Sequence, residues 1–156
     1  MTKELPYRKC VSIFLRKGDK FFAGERSDTP NAWQPPQGGV DKNEEIIEAA
    51  KRELREETGI TSVKFVKKTE TSFRYNFTDE AQKDCIKKYG SVKYAGQEVT
   101  FTLFDFIGDE SEINLQTTSP AEFSRQKWMN ADELIYSMVD FKKDAFIKGA
   151  KLLEII

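Results

Sequence analysis

The sequence predicts an α/β fold, in which helices pack on a mixed β-sheet. Its 156 residues are about the length of one domain. Hydrophobic residues make up 38 % of the chain and charged residues 33 %, which suits a globular protein with a core. Short β-rich runs separated by turn residues indicate strands, and one helical pattern follows the first two of them. We therefore expect residues 1–156 to form a single domain.

Composition excludes several classes of active site. The chain has no histidine, so it cannot carry a Ser-His-Asp triad, a Cys-His pair or a metal site with histidine ligands. Acid–base chemistry must use carboxylates, Lys, Tyr or Cys. A net charge of −1 is untypical of a protein that coats nucleic acid, so we expect no stable DNA binding. Cys10 and Cys85 form no recognisable motif and are expected to be reduced thiols.

The same data predict a cytoplasmic protein. No apolar run approaches the ~20 residues that a membrane span needs. The first six residues lack the apolar core of a signal peptide. The oligomeric state does not follow from the sequence, and we expect a monomer.

The order of elements begins with a hairpin. Residues 11–15 read as a strand, Gly18-Asp19 as a turn and residues 20–23 as the returning strand. A loop with three prolines covers residues 28–36. Asn43 then resembles a helix N-cap, with Glu44 in the first turn, and the helix should end at Gly59.

The second half of the chain gives weaker signals. We expect a β-rich segment at 63–77, followed by a short polar helix or a loop at 79–88. A half-buried strand should cover 99–103, a loop with a short strand 113–123, and a further strand 127–129. A helix capped by Asn130 or Asp132 should run through Met138, and a terminal helix should cover 141–156.

The helix before Gly59 places acids on the wrong face for an ordinary amphipathic helix. At ~100° per residue, Glu53 and Glu57 fall on the side of Ile46 and Ala50. Buried carboxylates are costly without compensation. Arg52 alone is too little for the acids around it, whereas Mg²⁺ prefers carboxylate oxygens. The pattern therefore predicts a magnesium site beside the flexible backbone of Gly38-Gly39.

These residues complete a known motif. Gly38, Glu44 and the segment Arg52-Glu53-Leu54-Arg55-Glu56-Glu57-Thr58-Gly59-Ile60 resemble the Nudix box at every defined position. The resemblance implies an α/β/α sandwich around a mixed β-sheet and a Mg²⁺-dependent phosphoanhydride hydrolase, with Mn²⁺ as a substitute metal. It also implies that the metal ligands are Glu53, Glu56, Glu57 and the carbonyl of Gly38. Glu44 and Arg52 match the pair that orients these acids.

The resemblance extends beyond the box. The matching segments are Pro6-Tyr7-Arg8, residues 33–39, Gly96-Gln97, residues 112–117, and residues 140–143. They resemble the branch that contains bacterial RNA pyrophosphohydrolases and dinucleoside tetraphosphate hydrolases. That branch implies that Glu122 completes the metal site or acts as the base.

The branch also implies a substrate site. Arg8 and Lys142 resemble phosphate contacts, Tyr75 and Phe141 resemble base-stacking residues, and Arg26 and Gln37 are further candidate substrate contacts. Several of these residues have a simpler reading: Phe141 could be a hydrophobic staple, Lys142, Lys143 and Lys148 a solvated helix face, and Glu122 a surface acid. Trp33 and Trp128 are read either as core residues or as walls of the substrate cleft.

Three departures separate the chain from this branch. Pro35 replaces Phe or Met, Glu25 replaces a basic residue beside Arg26, and residues 98–101 replace a basic residue followed by Trp-Phe. Contacts to RNA or to a base are expected to be weaker there.

The sequence thus predicts a hydrolase that converts a 5′-triphosphate RNA end to a monophosphate and pyrophosphate. A dinucleoside tetraphosphate (Ap4A) hydrolase giving ATP and AMP is the alternative, and a nucleoside triphosphatase ranks third. A non-catalytic nucleotide-binding module of the same fold is the rival from another class. Such a module would be expected to lose box acids, and this box is intact.

Overall fold

A computed structural model describes residues 5–156 of the chain. Residues 1–4, which belong to the N-terminal stretch expected to lack a signal peptide, lie outside the described residues. The strands are β1 (Tyr7–Lys17), β2 (Lys20–Arg26), β3 (Trp33–Gln34), β4 (Gln37–Gly39), β5 (Val63–Lys68), β6 (Phe73–Asn76), β7 (Gly96–Phe106) and β8 (Phe123–Met129). The helices are α1 (Ile46–Thr58), α2 (Asp79–Tyr89), α3 (Ala131–Tyr136) and α4 (Asp140–Leu152), with a 3-10 turn at Glu110–Glu112.

The strands form one mixed sheet around a parallel pair. β1 runs parallel to β7 from Tyr7↔Gly96 to Arg16↔Asp105. On its other side, β1 pairs with β4 near its start and with β2 at the hairpin end. The other side of β7 pairs with β6 and then β5. β3 and β8 both pair with β2. β1 pairs with β2 only at its hairpin end, so β4, which contains Gly38-Gly39, can pair with the earlier part of the same edge.

Helices cover both faces of this sheet, which confirms the predicted α/β/α sandwich. Successive residues of β1 point to opposite faces. Val11, Ile13 and Leu15 pack in the cluster that contains Leu54 of α1. Cys10 and Phe14 pack in the cluster that contains residues of α3 and α4. None of the helices within residues 5–156 is both long enough and apolar enough to cross a bilayer.

The start of α1 differs from the prediction. Asn43 is not the N-cap: it has a positive φ of 67°, and the helix begins at Ile46 with Glu45 as a cap that makes no side-chain hydrogen bond. The turn before the helix is held by Glu44, whose carboxylate accepts the Asp41 N–H at 3.0 Å. The predicted end is confirmed, because Gly59 adopts φ 75° and its N–H reaches the Arg55 carbonyl.

Other boundaries also shift. Residues 79–89 are a helix, which decides between the two readings of that segment. The strand at 99–103 is part of the longer β7 and is not half-buried, because Thr102 is fully buried between two covered faces. No strand lies within 113–122 of the described chain. Asn130 caps α3 by accepting the Glu133 N–H, and the terminal helix ends at Leu152.

Candidate active site

The acids of α1 lie where helical geometry places them. Glu57 is 6 % exposed, and the side chains of Glu53 and Glu56 are 13 % and 43 % exposed. Ala50 and Leu54 on the neighbouring positions are buried. The prediction that Glu53 and Glu57 point inward is therefore confirmed. Glu56 lies at the edge of the same face, half in solvent.

Arg52 connects these acids to the loop before the helix. Its guanidinium donates to both carboxylate oxygens of Glu44 at 2.9 Å, to Glu53 at 2.8 Å and to Glu56 at 3.3 Å. It also donates to the Gly39 carbonyl at 2.8 Å. Donation from Arg52, followed by the Asp41 N–H, lowers the pKa of Glu44 to about 2. Arg52 and Glu44 thus form a permanently charged pair that holds α1 against the Gly38-Gly39 segment.

Glu57 has no such partner. Its Oε2 is buried and accepts no hydrogen bond from residues 5–156. Burial, followed by the negative charges of Glu122 and Glu53, raises the pKa of Glu57 well above its usual value, while the Gln37 N–H opposes this. Burial also raises the pKa of Glu53, against the opposing effect of Arg52. The fold therefore holds a carboxylate in a place where the negative charge is poorly compensated.

The backbone at Gly38 completes this group of oxygens. β4 pairs with β1 at Val11↔Gly38 and brings residue 38 against the Glu53 carboxylate. A Cβ at position 38 would overlap the carboxyl atoms of Glu53. Only glycine permits this approach, which is the close backbone contact expected before the helix.

The donor set fits a hard divalent cation. Carboxylate and carbonyl oxygens are the ligands that Mg²⁺ prefers, and one buried Oε2 lacks a partner. Within the described chain, no three Asp, Glu or Cys side chains are already gathered as a metal-binding group. Two of these acids, Glu53 and Glu56, both accept hydrogen bonds from Arg52.

Glu122 approaches from a different element. It is exposed and directly precedes β8, and its carbonyl accepts the Ser27 N–H at 3.1 Å. Beyond the effect of burial, the negative charge of Glu122 helps to raise the pKa of Glu57, although the two residues are 65 positions apart in the sequence.

A polar network lies on the opposite face of the sheet. Gln37 Nε2 donates to Gln97 Oε1 at 2.6 Å and to the Tyr75 hydroxyl at 3.1 Å. Tyr75 donates in turn to Gln97. The Phe141 ring meets the Tyr75 ring edge to face, with centroids 5.8 Å apart. Four residues from β4, β6, β7 and α4 thus form one wall, with Tyr75 buried and Phe141 half-buried.

Lys142 is buried behind this wall, so its reading as part of a solvated face is wrong. Its Nζ lies 3.5 Å from Gln34 Oε1. Burial, followed by the charge of Arg26, lowers the pKa of Lys142 to about 8. Lys143 and Lys148 instead make ordinary pairs along α4, with Asp140 and Asp144. Only the first of the three lysines is turned inward.

The two candidate arginines differ in their surroundings. Arg8 is exposed, and its guanidinium lies against Gly39, beside the loop that carries Gly38. Arg26 is held by Asp28 in a two-point contact at 2.8 and 2.9 Å. Both therefore flank the cleft, and Arg26 has a carboxylate partner that a bound anion would have to compete with.

The residues at the three departures from the branch have contacts within the protein. Glu25 is buried and accepts two hydrogen bonds from Arg125 and one from the Asn31 N–H, which lower its pKa to about 2. Pro35 is buried. Glu98 pairs with Arg74 at 3.0 Å. The expectation of weaker contacts to RNA or to a base at these positions stays a prediction.

Sequence reasoning named Gln97 and Gln34 only within the segments that match the branch, and it assigned no role to Asp28. The contacts of Gln97 follow from strand register, which sets it opposite both Arg8 and Tyr75. Of the two tryptophans, Trp33 is half-buried and has Lys127 4.3 Å from its ring centroid. Trp128 stacks on Phe106 and donates to Glu110. Trp128 is thus a packing residue rather than a cleft wall.

A family model for the NUDIX domain matches residues 6–149. The chain belongs to the Nudix family. A Nudix relative from Wolbachia pipientis subsp. Culex pipiens, named RNA pyrophosphohydrolase, is 37 % identical over 149 residues, covering 95 % of this chain and 90 % of its own. Another from Cereibacter sphaeroides, with the same name, is 41 % identical over 147 residues, covering 91 % and 87 %.

Solved Nudix structures show the same fold at low identity. The E. coli dihydroneopterin triphosphate pyrophosphohydrolase matches with a TM-score of 0.68 at 15 % identity, over 92 % of this chain and 96 % of its own. A C. elegans Ap4A hydrolase binary complex matches with a TM-score of 0.61 at 19 % identity, over 94 % and 99 %. The Nudix fold predicted from the box is therefore confirmed.

Proposed function

We propose that this Nudix hydrolase removes pyrophosphate from 5′-triphosphate RNA and leaves a 5′-monophosphate end. The observation that carries the proposal is the buried carboxylate of Glu57, whose Oε2 has no hydrogen-bond partner among residues 5–156, on the same helix face as Glu53, which contacts Gly38. Relatives named RNA pyrophosphohydrolase share 37–41 % identity over nearly the whole chain, which supports RNA as the substrate.

The α1 acids would hold the metal. Glu53, Glu56, Glu57 and the Gly38 carbonyl supply hard oxygens on adjoining elements, and Glu122 can join them from the start of β8. Mg²⁺, or Mn²⁺ in its place, would supply charge neutralisation on the phosphates and a more acidic bound water. Arg52 holds Glu53 and Glu56 in position, and Glu44 holds Arg52.

Proton transfer falls to a carboxylate. The attack of water on phosphorus releases a proton, and Glu57 and Glu122 are the two candidates to accept it. Burial raises the pKa of Glu57, which suits a base that works near neutral pH. The same environment makes Glu57 a strong ligand for a cation. The experiment below therefore separates the role of general base from the role of metal ligand.

The other face of the cleft would bind the nucleotide. Tyr75 and Phe141 present aromatic surface, and the Gln37–Gln97 pair presents polar groups beside it. Arg8, Arg26 and Lys142 supply positive charge for phosphates. Cations of this kind can stabilise the negative charge that develops on the departing pyrophosphate.

A dinucleoside tetraphosphate is the second candidate substrate. The aromatic wall of Tyr75 and Phe141 can stack a free adenosine as well as the first base of an RNA. Such a substrate would be cut to ATP and AMP by the same acids. We further propose that residues 1–156 act as one domain, as a cytoplasmic monomer; the single sheet shared by both core clusters supports the domain assignment.

The test is a comparison of kcat/KM with Mg²⁺ at fixed salt. A short 5′-triphosphate RNA and diadenosine tetraphosphate are the substrates, and Glu57→Gln is the blank. We expect RNA to be preferred by about tenfold or more, which corresponds to ~1.4 kcal/mol. A preference for the dinucleotide would replace the RNA proposal with the second candidate. The pH dependence of kcat for Glu122→Gln separates the role of base from that of metal ligand. Loss of the acidic limb of this pH–rate profile would identify Glu122 as the base.

A further inference from the structure

One aromatic ring and two basic side chains share a face where β3, β2 and β8 run side by side. In the middle strand, Glu25 pairs with Trp33 of β3 on one side and with Arg125 of β8 on the other. Lys127, two residues further along β8, pairs with Ala23. Directly opposed residues of antiparallel strands project to the same face of a sheet. Trp33, Arg125 and Lys127 therefore lie together, and we call these three residues the basic surface.

The two cations lie over the indole ring. The Lys127 Nζ is 4.3 Å from the centroid of the Trp33 ring, and the Arg125 guanidinium carbon is 5.5 Å from it. Both distances are within the ~6 Å of a cation–π contact. The Arg125 side chain is 66 % exposed, Lys127 is exposed and Trp33 is half-buried. The ring thus gathers two positive charges where a ligand can reach them.

The charge of the basic surface is only partly neutralised within residues 5–156. Arg125 donates to the two carboxylate oxygens of Glu25 at 2.8 and 2.9 Å. This contact engages only part of the guanidinium, which carries further N–H donors. Lys127 forms no ion pair in the described part of the chain. The basic surface is therefore locally positive in a protein whose net charge is −1.

The basic surface continues the aromatic wall of Tyr75 and Phe141. Trp33 and Phe141 pack against the same core cluster, which contains Tyr75 and residues of α4. Next to Trp33 in β3, Gln34 Oε1 lies 3.5 Å from the Nζ of Lys142, which follows Phe141 in α4. Contacts and chain neighbours thus lead from the aromatic wall, through Lys142 and Gln34, to the basic surface.

A local explanation accounts for part of this arrangement. Arg125 neutralises the buried carboxylate of Glu25, and the apolar stem of a lysine packs readily on an aromatic ring. Neither contact requires Lys127 to stand at the ring that already holds Arg125. Two like charges gathered at one ring repel each other, and an anionic ligand would relieve that repulsion. The charge of Lys127 is therefore the part that calls for a ligand.

We propose that Arg125 and Lys127 contact backbone phosphates of the RNA beyond its first nucleotide, and that Trp33 holds the two cations in place. This inference rests on the proposed function, because it takes the first nucleotide to lie against Tyr75 and Phe141. Basic side chains combined with aromatic rings suit single-stranded RNA. A dinucleoside tetraphosphate has no phosphodiester backbone, so the basic surface favours RNA over the dinucleotide.

The first test uses RNAs of two lengths. KM and kcat are measured with Mg²⁺ for a 5′-triphosphate dinucleotide and for a 5′-triphosphate RNA of about eight nucleotides, a length that single-strand sites span. Lys127→Gln should raise KM for the longer RNA about fivefold, with kcat and the KM of the dinucleotide within about twofold of wild type. Lys20→Gln, an exposed lysine at the other end of β2, is the matched control and should change neither KM.

Arg125 needs a variant that does not leave its buried partner unpaired. Glu25→Gln/Arg125→Gln removes both charges of the pair and keeps the net charge of the protein. A direct contact predicts a KM for the longer RNA about fivefold above wild type. An unchanged KM would exclude Arg125 from the contact. If this double variant does not fold, Lys127→Gln alone decides the outcome.

Binding gives a second readout that a merely structural role would not move. In the Glu57→Gln background, Kd is measured over a series of salt concentrations for the longer RNA with a 5′-hydroxyl end. Loss of one phosphate contact in Lys127→Gln should reduce the slope of log Kd against log salt by about 0.7. The slope for Lys20→Gln should equal that of the Glu57→Gln parent.

Failure of this inference differs from failure of the proposed function. If wild-type protein leaves triphosphate RNA intact, the proposed function is wrong, and the salt slope with the 5′-hydroxyl RNA still decides whether the basic surface binds RNA. If Lys127→Gln matches Lys20→Gln in both KM and salt slope, the inference is wrong and Lys127 only covers the Trp33 ring. An equal rise in KM for both RNA lengths would also overturn it, because the contact would not lie beyond the first nucleotides.

Discussion

Two helices of this protein, α1 and α2, carry similar local signals and have opposite environments. Both are rich in charge, and both end in a left-handed glycine, Gly59 and Gly90. α1 buries Leu54, Ala50 and the carboxylate of Glu57, whereas α2 buries no residue. The difference shows that helix formation and helix burial are decided separately. Caps and propensity make the helix, and the apolar stripe determines whether it packs.

The charged groups of the two helices therefore differ in their environments. The carboxylates of α1 lie where a negative charge is unfavourable, whereas the charged side chains of α2 lie in solvent. The acids of α1 are placed by packing where their charge is costly. The charges of α2 are solvated and can respond to a ligand. Changes that remove a charge should therefore have large effects on α1 and small ones on α2.

The largest effect is expected for Glu57→Gln. We predict a fall in kcat of about 10³-fold, because a buried ligand and candidate base is lost. With chelator present at pH 7, the same variant should unfold at a higher temperature than wild type. Because the folded state raises the pKa of Glu57, wild type loses stability as pH rises above the usual value of 4.5. The stability gain should therefore vanish below about pH 4.5.

The control for this variant lies on the same helix. Glu48 is exposed on the solvated side of α1, so Glu48→Gln should leave both kcat and the unfolding temperature nearly unchanged. If Glu57→Gln lowered the unfolding temperature in chelator at pH 7, the buried charge would not be destabilising as described.

An intermediate effect is expected on the opposite face, where Lys142 is the buried charge of α4. We predict that Lys142→Met stabilises the protein at pH 7 by about 2–3 kcal/mol while weakening substrate binding. The pKa of Lys142 is lowered from 10.5 to about 8, so the unfolded chain binds the extra proton between those values. Wild-type stability therefore rises with pH over that window, and the advantage of Met should be gone by about pH 10.5.

Thermal unfolding from pH 7 to pH 10.5 checks this prediction. Lys148→Met is the matched control, because Lys148 is exposed on the same helix and pairs only with Asp144. A stability difference that did not change across this pH range would show that the gain comes from apolar packing alone.

The smallest effects are expected for substitutions at the two glycine caps, Gly59 and Gly90, which can be compared directly. Gly59→Ala should lower the free energy of unfolding by about 1–2 kcal/mol, because an L residue is strained at φ 75°. A Cβ there would also lie 3.2 Å from Asn114 Cβ. Gly90→Ala carries the same backbone strain at φ 81°, in open space. It should fray α2 without changing the global unfolding temperature.

Amide hydrogen exchange separates these two results. Exchange should speed up only within residues 79–89 for Gly90→Ala, and through the whole core for Gly59→Ala. Equal losses of global stability in both variants would contradict the idea that α2 is independent of the core.

Much of α1 could be predicted from sequence, since its period, its terminal Gly59 and the inward direction of Glu53 and Glu57 depend on positions close in the chain. The predicted cap failed for a tertiary reason. Asn43 is displaced from that role because Glu44 is committed to Arg52 and to the Asp41 N–H. A local capping signal could not include a partner eight residues further along.

The substrate face was less predictable. Tyr75, Gln37 and Phe141 were candidates by resemblance, but their meeting depends on the register of β4, β6 and β7. Gln97 was named only as part of the matching segment Gly96-Gln97, and its contacts depend on the same register. Lys142 read equally well as a solvated residue, because helical position alone does not say which neighbours α4 will meet.

By itself, the sequence determined the first hairpin, the Nudix box and the inward carboxylates of α1, because each depends on short-range periodicity and spacing. Only the tertiary structure decided which residues meet across the sheet. It let the charge of Glu122 act on Glu57, buried Lys142 against Gln34 and tied Glu25 to Arg125. Those outcomes depend on strand register and on charges brought together from distant positions, and the burial that shifts their pKa values exists only once the chain is folded.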